Sequence, residues 1–166
     1  MKKMMVLGLM LIAGASQAAD VSKALLSLHG MQQGMLFLGF LVIGIGILSS
    51  GYALSISLGA YAGCDKEQRG LAFIPAVMPG SQGIYSFAIS FLMIQNMAHK
   101  PLETAFAGVI CGLPCLFSAI GQARTAAACI KSISNAQMDQ GQALLATGVP
   151  ELYALSGLAA AFLVMS

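Results

Sequence analysis

The stretch MDQGQALLATGVPELYALSGLAAAFLVM, from Met138 to Met165, decides the fold of this chain. It is an apolar run long enough to cross a bilayer, because a hydrocarbon core of roughly 30 Å requires about 20 helical residues. One carboxylate, Glu151, lies close to its middle. An acidic side chain at the centre of a membrane helix costs roughly 2.5 to 3.5 kcal/mol, and such residues usually have a partner and mark an ion or proton pathway. The stretch therefore predicts a membrane helix that carries an ion-binding group at mid-depth.

The composition of the whole chain agrees with a membrane location. Of its 166 residues, 58% are hydrophobic and 8% are charged, and the mean hydropathy is +0.84. Too few charged groups remain to cover a soluble domain, and helices are expected because an open sheet leaves backbone groups unpaired in lipid. Nineteen glycines favour close helix packing. The net charge of +2 gives no reason to expect a nucleic-acid partner. The four cysteines have no spacing typical of a zinc site or a disulfide framework.

The N-terminal segment has the layout of a secretory signal. Lys2 and Lys3 precede an apolar stretch of about a dozen residues, and small residues surround Ala18. We expect residues 1–19 to be a cleaved signal peptide; the alternative is an extra N-terminal membrane helix. Residues 20–33 are short and mixed, and we expect them to form a lead-in on the outside of the membrane.

Charged turns divide the rest of the chain into four apolar helices. The predicted fold is an all-α membrane protein of two antiparallel transmembrane hairpins, with residues 34–97 in the first hairpin and residues 102–165 in the second. The turns CDKEQRG (64–70) and NAQMDQG (135–141) are expected inside, and AHKPLE (98–103) is expected outside. Pro75 and Pro79 should break the hydrogen-bond ladder of the second helix.

The two hairpins have the pattern of an internal repeat. Small residues recur at every fourth position in the first and third helices, at one offset of about seventy residues. A small residue at every fourth position gives a helix a flat face that suits close packing. The residues that form these two faces are Gly51, Ser55 and Gly59, and Gly121, Thr125 and Cys129. We therefore predict that one hairpin arose by duplication of the other.

Long polar side chains share one depth in the membrane. Counting about eleven residues inward from the inside end of each helix arrives at Gln82, Gln122 and Glu151, and in the first helix at Tyr52. Ser81 adds a hydroxyl next to Gln82, and Tyr85 lies one turn further along the same helix. This shared depth predicts that Gln82, Gln122 and Glu151 form one site, with Ser81 and Tyr85 beside them.

The donor atoms of the predicted site are hard oxygens. A carboxylate, two amide oxygens and a hydroxyl suit Na⁺ or a proton, and no His or thiolate is expected at that depth. Pro79 and Gly80 could also free a backbone carbonyl near Met78. The alternative is that Gln82, Gln122 and Ser81 only form interhelical hydrogen bonds. Arg124 is expected to extend toward the inside surface or to help pair a carboxylate.

Three segments carry a resemblance to a known family. PGSQGIYSF (79–87), IGQAR (120–124) and PELYAL (150–155) resemble segments of the proteolipid, termed K or c, that forms the rotor ring of V-type ATPases and ATP synthases, in particular the bacterial Na⁺-translocating form. The resemblance extends over all four helices. It implies that Na⁺ is bound by side chains at four positions and by one backbone carbonyl, and that a tyrosine hydrogen-bonds the carboxylate and locks the site. These positions are Ser81, Gln82, Gln122 and Glu151, the carbonyl of Met78, and Tyr85.

The resemblance also implies a function without bond chemistry or a cofactor. The expected partners are identical copies in a ring, packed through the two faces of small residues, a membrane stator subunit that supplies an arginine, a central-stalk subunit and the lipid bilayer. Na⁺ or H⁺ would bind Glu151 reversibly as the ring turns in what is expected to be a bacterial inner membrane. A small ion-coupled exporter that uses Glu151 is the main alternative, and a purely structural proteolipid is a third. A rotor should purify as a large ring, whereas an exporter should purify as a small oligomer.

Overall fold

The computed structural model describes residues 30–166, and within this part of the chain all secondary-structure elements are helices, without a strand. The helices are α1 (Gly30–Ala62), α2 (Arg69–Val77), α3 (Ser81–Asn96), α4 (Pro101–Ser134) and α5 (Gln140–Met165), with a 3₁₀ turn at Met78–Gly80 between α2 and α3. The predicted signal peptide and most of the predicted lead-in lie outside the described residues. The first turn of α1 overlaps the end of that lead-in.

Four stretches of helix in the described part are long and apolar enough to cross a membrane. They have mean hydropathies between 1.3 and 2.0 and cover Gln32–Ala62, Arg69–Asn96, Pro101–Ser134 and Gln140–Met165. The second stretch combines α2, the 3₁₀ turn and α3. The prediction of an all-α membrane protein with four membrane helices is confirmed.

The two hairpins run side by side in the same orientation. At one end, the backbone N–H of Asp65 in the α1–α2 turn donates to Ser134 Oγ at the end of α4, at 3.1 Å. At the other end, Lys100 Nζ donates to the carbonyl oxygens of Met165, at 3.2 Å, and Ser166, at 2.9 Å. The turns of the two hairpins therefore lie side by side at one end, and the connection between the hairpins lies beside the end of the second hairpin at the other, as expected of a duplicated unit.

The backbones of α1 and α4 are in direct contact at glycines. A Cβ added to Gly108 would lie 2.5 Å from the Gly39 carbonyl oxygen, and one added to Gly112 would lie 2.6 Å from the Val42 carbonyl oxygen. Real Cβ atoms essentially never approach this closely, so only glycine fits here. Small residues allow this approach, which replaces the hydrophobic effect as a source of helix association in lipid.

The small residues predicted to form flat packing faces lie elsewhere. A Cβ added to Gly51, Gly59 or Gly121 would meet no atom of another element within 4 Å, and Ser55 is exposed. These positions are open on the surface formed by residues 30–166. Thr125 is half-buried, and Cys129 is buried in the chain's own core.

Prolines interrupt the second membrane helix, and serines of α1 hold the interrupted part in place. Pro75 and Pro79 have no N–H to donate, and the chain passes through a 3₁₀ turn before it resumes as α3. Ser57 Oγ donates to the Ala76 carbonyl at 2.7 Å, and Ser50 Oγ donates to the Pro79 carbonyl at 2.8 Å. These bonds fix where α3 begins, and hence where its polar side chains lie.

Candidate functional site

Glu151 is held by side chains from two other helices. Its carboxylate is half-buried on α5; Oε1 accepts a hydrogen bond from the Tyr85 hydroxyl at 2.5 Å, and Oε2 accepts one from Gln122 Nε2 at 3.4 Å. Tyr85 belongs to α3 and Gln122 belongs to α4. A donor–acceptor distance of 3.4 Å exceeds the usual range of protein hydrogen bonds, which weaken with length. The short bond from Tyr85 therefore makes the larger contribution to the orientation of the carboxylate.

Two fully buried glutamines extend the network from the carboxylate. Gln82 and Gln122 are both 0% exposed. Gln82 Nε2 donates to Gln122 Oε1 at 2.5 Å, and Gln122 Nε2 donates to the Thr147 carbonyl of α5 at 2.7 Å. The structure thus brings together four of the side chains that the sequence placed in one site, namely Gln82, Gln122, Glu151 and Tyr85.

One atom of this network has no hydrogen-bond partner among the described residues. Gln82 Oε1 is buried and accepts no bond. A buried polar atom without a partner costs about 1 to 3 kcal/mol, and native proteins contain few of them. An amide oxygen accepts only, so a cation or a further donor would satisfy it. Within residues 30–166, Gln82 Oε1 is therefore a buried acceptor without a donor.

Ser81 and Met78, two of the other predicted ligands, are paired with one another. Ser81 Oγ donates to the Met78 carbonyl at 3.0 Å, and the Ser81 N–H donates to the same carbonyl. The Met78 carbonyl, which Pro79 and Gly80 were expected to free, accepts both of these bonds, because the 3₁₀ turn supplies an N–H three residues later instead of four. Met78 could act as a ligand only through a carbonyl that is already hydrogen-bonded.

Tyr52 and Arg124 lie away from the network. Tyr52 is 62% exposed on α1, whereas the adjacent Ala53 faces the core. Arg124 is also exposed, on α4. Equal depth does not place two side chains together, because consecutive helical residues point about 100° apart. Depth alone is therefore insufficient for Tyr52, which does not belong to the site.

Ser118 is part of the hydrogen-bond network, although it was not predicted from the sequence. It is 4% exposed on α4; its hydroxyl donates to the Pro150 carbonyl at 2.6 Å and lies 3.2 Å from Gln82 Nε2. A usable signal was its position four residues before Gln122, which puts both side chains on one face of the helix. The Thr147 carbonyl was also missed, and as a main-chain group it leaves no signal in the sequence.

Buried thiols lie nearer to the network than expected. Cys111 and Cys115 are both buried on α4 with their sulfur atoms 3.8 Å apart, and Tyr85 packs against the apolar cluster that contains them. Within residues 30–166, no three His, Cys, Asp or Glu side chains cluster in a way that could hold a metal ion. The donors gathered around Glu151 are the phenol of Tyr85 and carboxamide groups.

The fold and this network define a class of small helical membrane protein in which two hairpins enclose one hydrogen-bonded carboxylate. The chain belongs to the family of ATP synthase C subunits, whose model matches it twice, over residues 37–93 and 105–164. Each match covers one hairpin, so the predicted duplication and the resemblance read from the sequence are both confirmed.

Two relatives carry related names. An A-type ATP synthase subunit K of Methanocaldococcus jannaschii is 32% identical over 127 residues, which are 74% of this chain and 57% of that protein. A V-type sodium ATPase subunit K of Enterococcus hirae is 30% identical over 104 residues, which are 60% of this chain and 67% of that protein. The matched region thus spans little more than half of the Methanocaldococcus jannaschii protein.

Proposed function

We propose that this chain is a proteolipid subunit of the membrane rotor ring of a V-type ATPase or ATP synthase, and that it translocates Na⁺ or H⁺ through reversible binding at Glu151. Membership of the family of ATP synthase C subunits supports the assignment to a rotor ring. The names of the two relatives support subunit K, and one of them names sodium. The subunit itself catalyses no bond chemistry and needs no cofactor; the ion is its cargo.

Gln82 Oε1 has no hydrogen-bond partner within residues 30–166, and this observation favours Na⁺. In this proposal the ion is bound by the Glu151 carboxylate, the amide oxygens of Gln82 and Gln122, the Ser81 hydroxyl and the Met78 carbonyl. A proton would neutralise the carboxylate but would give the site only one further donor, the carboxyl O–H. A cation with several oxygen ligands satisfies both groups, since Na⁺ prefers hard oxygen donors. Tyr85 keeps the carboxylate in place through its hydrogen bond.

The cost of charge in lipid gives the mechanism. In a ring most copies face lipid, where a bare carboxylate is expensive, so Glu151 stays neutralised by its ion. Against a stator subunit that carries an arginine and a water-filled half-channel, the ion leaves and another binds. Each ion that crosses a potential of 100 mV transfers about 2.3 kcal/mol. Rotation passes this energy through the central stalk to ATP synthesis or receives it from ATP hydrolysis.

The duplicated hairpin sets the number of ions per subunit. The first hairpin carries Ser81 and Gln82 about seventy residues before Glu151, and its helices α1 and α3 contain no carboxylate. One ion therefore crosses for every four helices that pass the stator. A ring of two-helix subunits with one acid each would move twice as many ions for the same number of helices.

The open faces of small residues fit assembly into a ring. Gly51, Gly59 and Gly121 leave room beside α1 and α4 for helices of the neighbouring copy. We place the ring in a bacterial inner membrane, with the turns 64–70 and 135–141 on the inside and the turn 98–103 on the outside.

Carbodiimide labelling of the membrane-embedded protein tests this proposal, because the reagent attacks only a protonated carboxyl group. Labelling is measured at fixed pH with and without added Na⁺, with Glu151→Gln as the control that removes the target. Labelling of Glu151 that Na⁺ suppresses supports a sodium rotor. Labelling that responds to pH but not to Na⁺ leaves H⁺ as the cargo. Absence of labelling at Glu151 refutes the ion site, and a small oligomer instead of a detergent-resistant ring favours an exporter.

A further inference from the structure

We infer that Ser118 is a positioning residue of the ion site: its hydroxyl sets the orientation of the Gln82 carboxamide, so that Oε1 is presented as a ligand. This inference rests on the proposed function, since it concerns how the cation ligand is prepared. Ser118 itself would not touch the ion. It lies on α4, one helical turn before Gln122, and its side chain reaches both α3 and α5.

The Pro150 carbonyl determines the direction of the Ser118 hydroxyl. A carbonyl can only accept, so the 2.6 Å contact between Ser118 Oγ and Pro150 O requires the single hydroxyl proton of Ser118. Once that proton is used, the serine oxygen can only accept a bond from its other neighbour. That neighbour is Gln82, which must therefore turn its amide nitrogen toward Ser118, as observed at 3.2 Å.

The Thr147 carbonyl determines the direction of Gln122 in the same way. It accepts from Gln122 Nε2 at 2.7 Å, which leaves Gln122 Oε1 to face Gln82. Gln82 Nε2 thus has two acceptors, Ser118 Oγ and Gln122 Oε1, and an amide nitrogen has two protons. If Gln82 were reversed, its oxygen would face two atoms that accept, and both would lose their donor.

Two main-chain carbonyls of α5 therefore fix two side-chain amides on α3 and α4. The consequence is that Gln82 Oε1 has no donor among the described residues and points away from Ser118 before any ion arrives. A ligand that is held in its productive orientation does not have to reorganise when the ion binds. Because Gln82 and Gln122 are both 0% exposed, bulk water does not compete for these bonds.

The test compares Ser118→Ala with Ser118→Thr in the intact protein. We measure the Na⁺ concentration that half-protects Glu151 from carbodiimide, and the pH profile of labelling without Na⁺. Ser118→Ala should raise the half-protecting concentration about tenfold, the effect of one lost hydrogen bond. Its pH profile without Na⁺ should not change, because a proton does not need Gln82. Ser118→Thr keeps the hydroxyl and should restore protection. Ser156→Ala, on the exposed face of α5 with a bond only to its own helix, is the matched control.

Three results would overturn the inference. Equal Na⁺ protection of Ser118→Ala and wild type would overturn the role of Ser118 and leave the sodium site standing. A pH profile that shifts together with the Na⁺ requirement would mean that Ser118 only holds α5 in position. If Na⁺ does not protect Glu151 in the wild type, the sodium site is refuted, and the inference about Ser118 is refuted with it.

A measurement on the wild type avoids any folding defect of the variants. With glutamine labelled with ¹³C at Cδ and ¹⁵N at Nε2, solid-state NMR before and after Na⁺ addition should show a shift of the Gln82 Cδ signal, assigned by its absence in Gln82→Asn. The Gln82 Nε2 signal should stay nearly constant, because its two acceptors are protein groups. A Na⁺-dependent shift at Nε2 without one at Cδ would contradict the proposed orientation.

Discussion

Replacing Gly112 by alanine should force α1 and α4 apart. The added Cβ would lie 2.6 Å from the Val42 carbonyl oxygen and 2.9 Å from the Ile43 nitrogen, whereas ordinary contact begins at 3.4 Å. Both neighbours are backbone atoms, so no side-chain rotation can relieve the overlap. The two helices must separate by several tenths of an ångström, which also loosens the contact between Gly39 and Gly108.

The magnitude follows from comparison with Gly44→Ala on α1. Alanine gains about 1 kcal/mol over glycine in a helix at either position. At Gly44 nothing lies within 4 Å of the new Cβ, so only this gain applies. At Gly112 the overlap opposes it, and overpacking typically costs about 1 to 3 kcal/mol. Because the chemical change is the same in both variants, the helix propensity cancels. Gly112→Ala should be less stable than Gly44→Ala by about 1 to 3 kcal/mol.

Reversible unfolding in mixed micelles of dodecyl sulfate and a mild detergent, followed by far-ultraviolet circular dichroism, measures this difference. Gly44→Ala should be more stable than the wild type, and Gly112→Ala should be no more stable than the wild type. If Gly112→Ala and Gly44→Ala unfold at the same detergent fraction, the direct backbone contact between α1 and α4 does not exist in the bilayer protein.

Three further variants test the site, a turn and the assembly. Tyr85→Phe removes the 2.5 Å bond to Glu151. Because a hydrogen bond to a charged group contributes about 1.5 to 3 kcal/mol, the Na⁺ concentration that half-protects Glu151 should rise about 10- to 100-fold. Unchanged protection would mean that this bond does not hold the site. Ala136→Gly should stabilise the chain by about 1 kcal/mol, since Ala136 has a φ of 55°, a left-handed conformation that favours glycine. A loss of stability in the micelle titration would contradict this backbone conformation. Gly51→Val should keep the helix content but prevent a detergent-resistant ring on native gels, since Gly51 is open within residues 30–166 and is proposed to face the neighbouring copy. An intact ring would show that Gly51 does not belong to the subunit interface.

The sequence predicted most of the fold because its signals are long. Apolar runs of membrane length, separated by charged turns, define four helices whatever their packing. Pro75 and Pro79 also located the break in the second helix. The sequence did not predict which helix faces are in contact, since glycines occur on several faces of α1. Gly39 touches α4, whereas Gly51 is open, and nothing in their local sequence separates them.

The side chains that the structure brings together around Glu151 were predicted only in part, because the sequence indicates depth along a helix but not the direction in which a side chain points. Depth along a helix can be counted, and the count found Gln82, Gln122 and Glu151. Rotation about the helix axis cannot be obtained from that count, so the count alone does not distinguish the exposed Tyr52 from the buried glutamines. Ser118 was overlooked because a lone serine in an apolar helix usually bonds to its own backbone, whereas this one reaches α5.

The bonds around Glu151 join three helices of one chain. They connect α5 to α4 through the Thr147 carbonyl and Gln122, α4 to α3 through Gln82, and α3 back to α5 through Tyr85 and Glu151. Every proposed ligand therefore comes from a single chain, and a neighbouring copy is needed for the ring but not for the site. In rings of wild-type and Glu151→Gln subunits, Na⁺-protected labelling should then fall in proportion to the wild-type fraction. A steeper fall would show that adjacent copies share ligands.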